Sequence, residues 1–312
     1  CLILIITKIY ILNKNIISHV ALFFSNFIYA LNYTIAKDVM PNYIKPSGFI
    51  FLRVTGAVIL FSLIYFLLIK EKVEKQDFVK LFICGLFGVA INQLLFFQGL
   101  NLSTPINAAI IMTTNPVLVL IISFIIINEP LTVRKVLGIF LGIIGALFLI
   151  SGTGEISINN QTKIGNIFIF INATSYAIYL VLVKPLMQKY QPITVMFYVF
   201  LFGLVLVAPF GYRQLLEVNW LEIPSYVFFE IIFVVIFTTF IAYLLNSVAL
   251  KNLNPSVVST YIYLQPIIAS VFAIYMQKDS FSILKMTAII FIFIGVYLVS
   301  TRKNVKTKQK LF

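Results

Sequence analysis

The stretch TPINAAIIMTTNPVLVLIISFIIINEP at 104–130 is apolar for long enough to cross a bilayer, yet it carries Pro105 at its start and Pro116 near its middle. A second stretch, NPSVVSTYIYLQPIIASVFAIYMQKDS at 254–280, carries Pro255 and Pro266, each 150 positions after its counterpart. Laying 100–151 over 250–301 without a gap also matches Leu100 with Leu250, Lys135 with Lys285, Ile139 with Ile289 and Gly145 with Gly295. Glu129 then falls opposite Asp279, so an acidic loop residue recurs along with the prolines. A shorter echo sets YALNYTIAK at 29–37 over YAIYLVLVK at 176–184, an offset of 147. Spans punctuated in register point to a duplicated chain.

Of the 312 residues, 61% are hydrophobic and 11% charged, against roughly 25% charged in soluble proteins. That composition belongs in a membrane. A bilayer core takes about 20 mostly apolar residues per helix. Ten segments meet the requirement, near 17–36, 47–69, 78–98, 104–126, 132–151, 163–183, 193–210, 226–247, 255–276 and 281–301. The expected fold is an all-α membrane protein, with 17–151 and 163–301 as two five-helix repeats. Five is odd, so the second repeat must enter the membrane in the opposite orientation. Such inverted repeats are a recurrent way to build a secondary transporter.

Residues 1–16 are expected to be a cytoplasmic N-terminal segment or an artefact of the start site, and 302–312 a basic cytoplasmic tail. The opening CLILIITKIYILNKN lacks the basic, apolar and small-residue order of a signal peptide. The net charge of +13 resides in short loops and the tail. Lys8, Lys14, the lysines around 70–80, Arg134, Lys135, Lys184, Lys189, Lys251 and the tail all fall on one side of a ten-span path. By the positive-inside rule both termini are cytoplasmic. No basic patch with interleaved aromatics exists, so nucleic acid is not an expected partner; the bilayer and a small-molecule solute are. Monomer and homodimer both stay open. Cys1 and Cys84 lack metal spacing, and Cys84 reads as a buried, inert thiol. No metal, cofactor or catalytic residue is expected.

The sequence resembles the drug/metabolite transporter superfamily, EamA type. The resemblance covers about 17–301. It rests on NFIYALNYTIAK in span 1, FLRVTGA opening span 2, GVAINQLLFFQGLNLSTPINAAIIMTTNPV across spans 3 and 4, and INEPLTVRKVLGIFLGIIGALFLIS through span 5. Two departures are Tyr29, where many relatives carry Trp, and QKDS at 277–280 in place of a second acidic-proline motif. The resemblance implies a multi-pass permease of the bacterial cytoplasmic (inner) membrane, acting as an exporter. It also places an arginine at Arg53, to hold a substrate carboxylate or a neighbouring helix end.

The prolines divide into two kinds. Pro105 and Pro255 follow Thr104 and Asn254, which suits an N-cap followed by proline at the first helical position. Pro116 and Pro266 lie mid-span as helix kinks, freeing the carbonyls of Met112 and Ile262 four residues back. A freed carbonyl at membrane depth must be satisfied by protein, water or ligand. Either the kinks border a polar central cavity, or they bend helices for packing alone.

Polar side chains inside spans favour the cavity, because they turn away from lipid. Span 1 offers Asn26, Tyr29 and Asn32; span 3, Asn92 and Gln93; span 4, Asn107, Thr114 and Asn115. Span 6 offers Asn172, Tyr176 and Tyr179; span 8, Tyr243 and Asn246; span 9, Thr260, Tyr263 and Gln265. With Arg53 these form the expected substrate pathway. For each alone, the competing reading is an interhelical hydrogen bond worth about 1 kcal/mol. Gly138, Gly142 and Gly145 on span 5 read as close helix packing, and only secondarily as a dimer surface.

Charges near the membrane are few. Glu230 is the only carboxylate within a span and the candidate for proton coupling, although it lies close enough to an interface to snorkel, as do Lys37 and Lys184. His19 reads as an interfacial anchor. A pathway rich in amides and phenols points to neutral, zwitterionic or aromatic solutes, hence small metabolites or amino-acid-like compounds. Nucleotide sugars or phosphorylated metabolites are the alternative cargo, and would need more cations at depth. An enzyme would need clustered acids, His or Cys, or a phosphate loop, which the sequence lacks. A membrane scaffold gains little from burying so many amides.

Overall fold

The structure, a computed structural model, describes residues 2–151, 160–275 and 283–301, and every regular element among them is helical. Helix α1 (Leu2–Val39) is followed by α2 (Pro46–Ile64), which runs on through a π turn at Tyr65–Ile69. Next, α3 (Asp77–Gly85) and α4 (Ile91–Leu102) are joined by a π turn at Leu86–Ala90. Then come α5 (Pro105–Met112), α6 (Asn115–Ile127), α7 (Val133–Ser151), α8 (Asn160–Lys189) and α9 (Pro192–Leu216). A π segment at Val234–Ile241 links α10 (Ser225–Phe233) to α11 (Ala242–Asn252). Last are α12 (Pro255–Thr260), a 3-10 turn at Tyr261–Tyr263, α13 (Leu264–Tyr275) and α14 (Ile283–Ser300).

Among the described residues, seven helical stretches are long and apolar enough to cross a membrane: Lys14–Val39, Pro46–Ile69, Asp77–Leu102, Asn107–Ile127, Gln161–Lys189, Pro192–Leu216 and Ser225–Asn252. The other expected spans are helical over α7, over α12 and α13, and over α14. Residues 2–16 are helical and continuous with the rest of α1; no proline or glycine interrupts the chain there. The tail at 302–312, Cys1 and Asp279 with the rest of QKDS lie outside the described residues. Large apolar side chains such as Leu67, Leu68, Ile125, Val205 and Phe229 are exposed on the outer faces. In water so broad an apolar surface would be an aggregation liability; in lipid it is the matching solvent.

Helices pair along their length: α2 with α9, α7 with α14, α4 with α8 and α1 with α11. Glycine sets the closest of these contacts. A Cβ on Gly138 would stand 2.7 Å from the carbonyl oxygen of Gly295, and one on Gly145 would stand 2.6 Å from that of Ala288. Positions 138 and 288, like 145 and 295, are counterparts under the 150-residue offset, so this is one contact made twice. The glycines of α7 are therefore engaged against α14, and Gly142 against the Tyr263 ring, rather than offered to a second copy.

Two lysines, Lys184 buried and Lys37 partly exposed, also act as a pair, and neither snorkels. Lys37 donates to the carbonyls of Leu100 at 2.9 Å and Asn101 at 3.0 Å, at the end of α4. Lys184 donates to Leu250 at 2.6 Å and Leu253 at 2.8 Å, at the end of α11. A helix C-terminus leaves its last carbonyls unpaired and carries partial negative charge, so a lysine there is held by both hydrogen bonds and dipole. Further polar ties join the halves: Lys189 reaches Glu74 and Asp77, each at 2.7 Å, and Lys45 reaches Glu217 at 2.6 Å. The buried Glu129 accepts from Ser256 at the start of α12 and pairs with Lys135 at 2.8 Å.

Candidate functional site: a polar cavity between the halves

The helices are interrupted next to both mid-span prolines. Pro116 stands in the first turn of α6, after a two-residue gap at Thr113 and Thr114; Pro266 stands in the first turn of α13, after the 3-10 turn. Both prolines are buried. Thr104 caps α5 as expected, its hydroxyl accepting from the Asn107 N–H at 3.1 Å, whereas Asn254 makes no side-chain cap bond. Met112 and Ile262, each four residues before one of these prolines, both line a cavity of about 100 Å³. By the usual allowance per water, that is room for several waters or one small solute.

From α1 the cavity receives Asn26, Tyr29 and Asn32, and from α4 Asn92 and Gln93. Facing them are Asn172 and Tyr176 of α8, Tyr243 and Asn246 of α11, and Gln265 of α13. Hydrogen bonds tie these groups across helices. Gln265 donates to the Asn26 amide oxygen at 2.9 Å, Asn246 to the Tyr29 hydroxyl at 3.3 Å, and Gln93 to the Tyr243 hydroxyl at 3.2 Å. The Asn172 side chain donates to the Asn92 backbone carbonyl at 2.7 Å. The Tyr29 and Tyr243 rings meet edge to face, 6.3 Å between centroids.

Arg53 enters from α2. It is 2% exposed, donates from Nε to the Thr239 hydroxyl at 2.9 Å, and lays its guanidinium over the Phe97 ring at 4.3 Å. Its Nη1 is buried without a hydrogen-bond partner, as are the amide oxygens of Asn32, Gln93 and Asn172. An unpaired buried polar group costs about 1–3 kcal/mol. These groups are the part of the lining that a solute can satisfy.

Other residues read as pathway lie elsewhere, each held by a structural contact. Asn115 donates to the Ala173 carbonyl at 2.9 Å, tying α6 to α8. Thr114 and Thr260 bond back to the carbonyls of Ile111 at 2.7 Å and Ser256 at 2.6 Å. Tyr179 packs its ring on Gly88, and Tyr263 donates to the Thr113 carbonyl at 3.2 Å. Asn107 is buried in the first turn of α5. Glu230 is on α10 beside Asp38, away from the cavity. His19 pairs with the Tyr261 hydroxyl at 2.6 Å.

Further residues complete the lining. Tyr33 and Ser259 share the polar stripes of α1 and α12, and Thr238 neighbours the Thr239 that holds Arg53. The apolar wall, made by Phe96, Phe97, Met112, Val258 and Ile262, carries no polar signal at all. Only the proline offset singles out Met112 and Ile262.

The sequence model of the EamA-like transporter family matches this chain over residues 16–151 and again over 163–301. The chain belongs to the EamA-like transporter family. A relative from Bacillus subtilis (strain 168), named as the uncharacterized transporter YyaM, is 30% identical over 73% of this chain and 76% of its own length. An uncharacterized transporter of Archaeoglobus fulgidus is 25% identical over 75% of this chain and 80% of its own. The WAT1-related protein At3g53210 of Arabidopsis thaliana is 22% identical over 88% of this chain and 80% of its own. A crystal structure shares the fold with a TM-score of 0.71, at 16% identity, over 92% of this chain and 97% of that one. This EamA-like chain is thus a multi-pass membrane transporter.

Proposed function

We propose that this EamA-like protein is a secondary transporter that moves small metabolites or amino-acid-like solutes across a bacterial cytoplasmic membrane by alternating access, as an exporter. Its architecture on this reading is ten membrane helices in two inverted five-helix repeats, with both termini cytoplasmic. The double family match supports the repeat, as does the twice-made glycine contact between α7 and α14. The pairing of α4 with α8 and of α1 with α11 supports it further, since the offset exchanges one pair for the other.

One observation carries the transport reading: the polar cavity draws its walls from both halves and meets the broken helices of each at Met112 and Ile262. Binding at discontinuous helices between repeats is how many secondary carriers bring a solute to the membrane midplane. The halves then exchange roles as the cavity opens to one face or the other. Glu230 lies off this path, so any proton coupling through it would act at a distance from the solute.

The test is flux of a labelled metabolite and amino-acid panel in proteoliposomes, with and without a pH gradient, comparing the natural protein with Arg53→Ala. Saturable flux that the variant loses is the expected result. A folded protein that moves no solute under any gradient would rule the reading out.

A further inference from the structure

Arg53 is the only charged side chain among the described residues that line the cavity. No described carboxylate forms an ion pair with it. A buried charge left without a counter-charge is costly, and proteins normally retain one only where something completes it. Part of the guanidinium is already engaged: Nε is held by Thr239 and the π face by Phe97. Both contacts fix its orientation while neutralising nothing. The buried Nη1 has no acceptor in the protein. The fork of an arginine matches the two oxygens of a carboxylate.

The remaining polar lining is neutral, made of amides, phenols and hydroxyls. It provides no carboxylate to neutralise a cationic solute, and its unpaired amide oxygens at Asn32 and Gln93 accept N–H or O–H donors without setting a charge. The aromatic walls at Phe96, Phe97 and Tyr29 suit an apolar or aromatic body.

Building on the transporter reading, we propose that the obligatory feature of the cargo is a carboxylate, received by Arg53, and that cationic and neutral solutes of the same shape are rejected. Composition alone points to neutral solutes as well. The structure argues otherwise, because a neutral solute would seal Arg53 away with its charge unanswered.

The purified full chain is titrated calorimetrically in detergent, in chloride-free buffer so that no halide occupies the cation. The ligands share one phenyl body and differ in the head: 3-phenylpropionate, L-phenylalanine, 3-phenylpropionamide and 3-phenylpropylammonium, with acetate and benzoate as shorter acids. Acids are expected to bind at least about tenfold more tightly than the amide, the size of one charge-assisted hydrogen bond, and the ammonium to bind weakest. Arg53→Gln is expected to abolish that preference by weakening the acids far more than the amide, and Arg53→Lys to keep part of it. Should Arg53→Gln fail to fold, the ligand series on the natural protein decides alone. An amide or ammonium that binds as tightly as the acids overturns the proposal, as do acids unaffected by Arg53→Gln and a folded protein that binds no acid. Failure of the transport reading looks different: acids bind, yet no solute crosses the bilayer.

Discussion

Tyr263 donates its hydroxyl to the backbone carbonyl of Thr113 at 3.2 Å, joining the break between α12 and α13 to the break between α5 and α6. The two residues are counterparts under the 150-residue offset, so the bond links equivalent points of the two halves. It also satisfies a carbonyl in the gap that precedes Pro116. Tyr263→Phe keeps the ring packed on Gly142 but strands that carbonyl. A loss of about 1 kcal/mol in unfolding free energy is expected, read by denaturant titration in detergent. No loss would mean that water takes over the carbonyl and the bond is incidental.

The two lysines give a second, graded prediction. Both cap a helix end, but Lys184 is buried whereas Lys37 is partly exposed. Lys184→Met removes its bonds to α11 and is expected to destabilise the protein by about 1.5–3 kcal/mol, the range for hydrogen bonds to a charged group. Lys37→Met at the end of α4 is expected to lose less, since water can reach the carbonyls it leaves. Melting temperatures of the two variants at matched protein and detergent concentrations measure the order, and a reversed order would refute the capping account.

Much of this was legible in the chain. The apolar runs mark spans, and the recurrence of Pro116 at Pro266 marks the breaks and, through Met112 and Ile262, part of the cavity wall. The π segments were not legible. In the Val234–Ile241 segment, Thr239 bonds back to the Val234 carbonyl at 2.8 Å and receives Arg53, an arrangement set by tertiary packing. Polarity tells that a residue faces inward but not what it meets there. Asn115 and Tyr179 therefore read like Asn26 and Tyr176, although neighbouring helices already engage them. A phenylalanine facing a cavity, such as Phe97, is indistinguishable in sequence from one facing lipid.

Acid should loosen the contact between α8 and the loop before α3. Glu74, in that loop, is held below the usual carboxylate range chiefly by its hydrogen bond from Lys189, then by one from Gln76. A lowered folded pKa means that its stabilisation is fully present above the ordinary value of 4.5 and is lost as pH falls through the folded value. Stability should therefore fall below pH 4.5, and Glu74→Gln should flatten that part of the profile. Thermal melts across the acid range check this; an unaltered slope in the variant would assign the acid sensitivity to other groups.

The division between cavity and scaffold amides gives the sharpest prediction. Asn115 and Gln265 flank the breaks at Pro116 and Pro266, one directly before each proline, and are counterparts under the offset. Their partners differ. Asn115 donates to the Ala173 backbone, so Asn115→Ala should lower stability by about 1 kcal/mol through the lost interhelical bond and leave solute KM near its natural value. Gln265 lines the cavity and donates to Asn26, another lining side chain. Gln265→Ala should therefore raise KM severalfold, with a smaller loss of stability because the amides it leaves face open space. A double-variant cycle with Asn26→Ala should yield a combined KM effect smaller than the product of the single effects, because either change alone breaks the same bond. Flux kinetics and denaturation of the same preparations separate the two outcomes. An Asn115→Ala variant that shifts KM as much as Gln265→Ala would place Asn115 on the solute path after all.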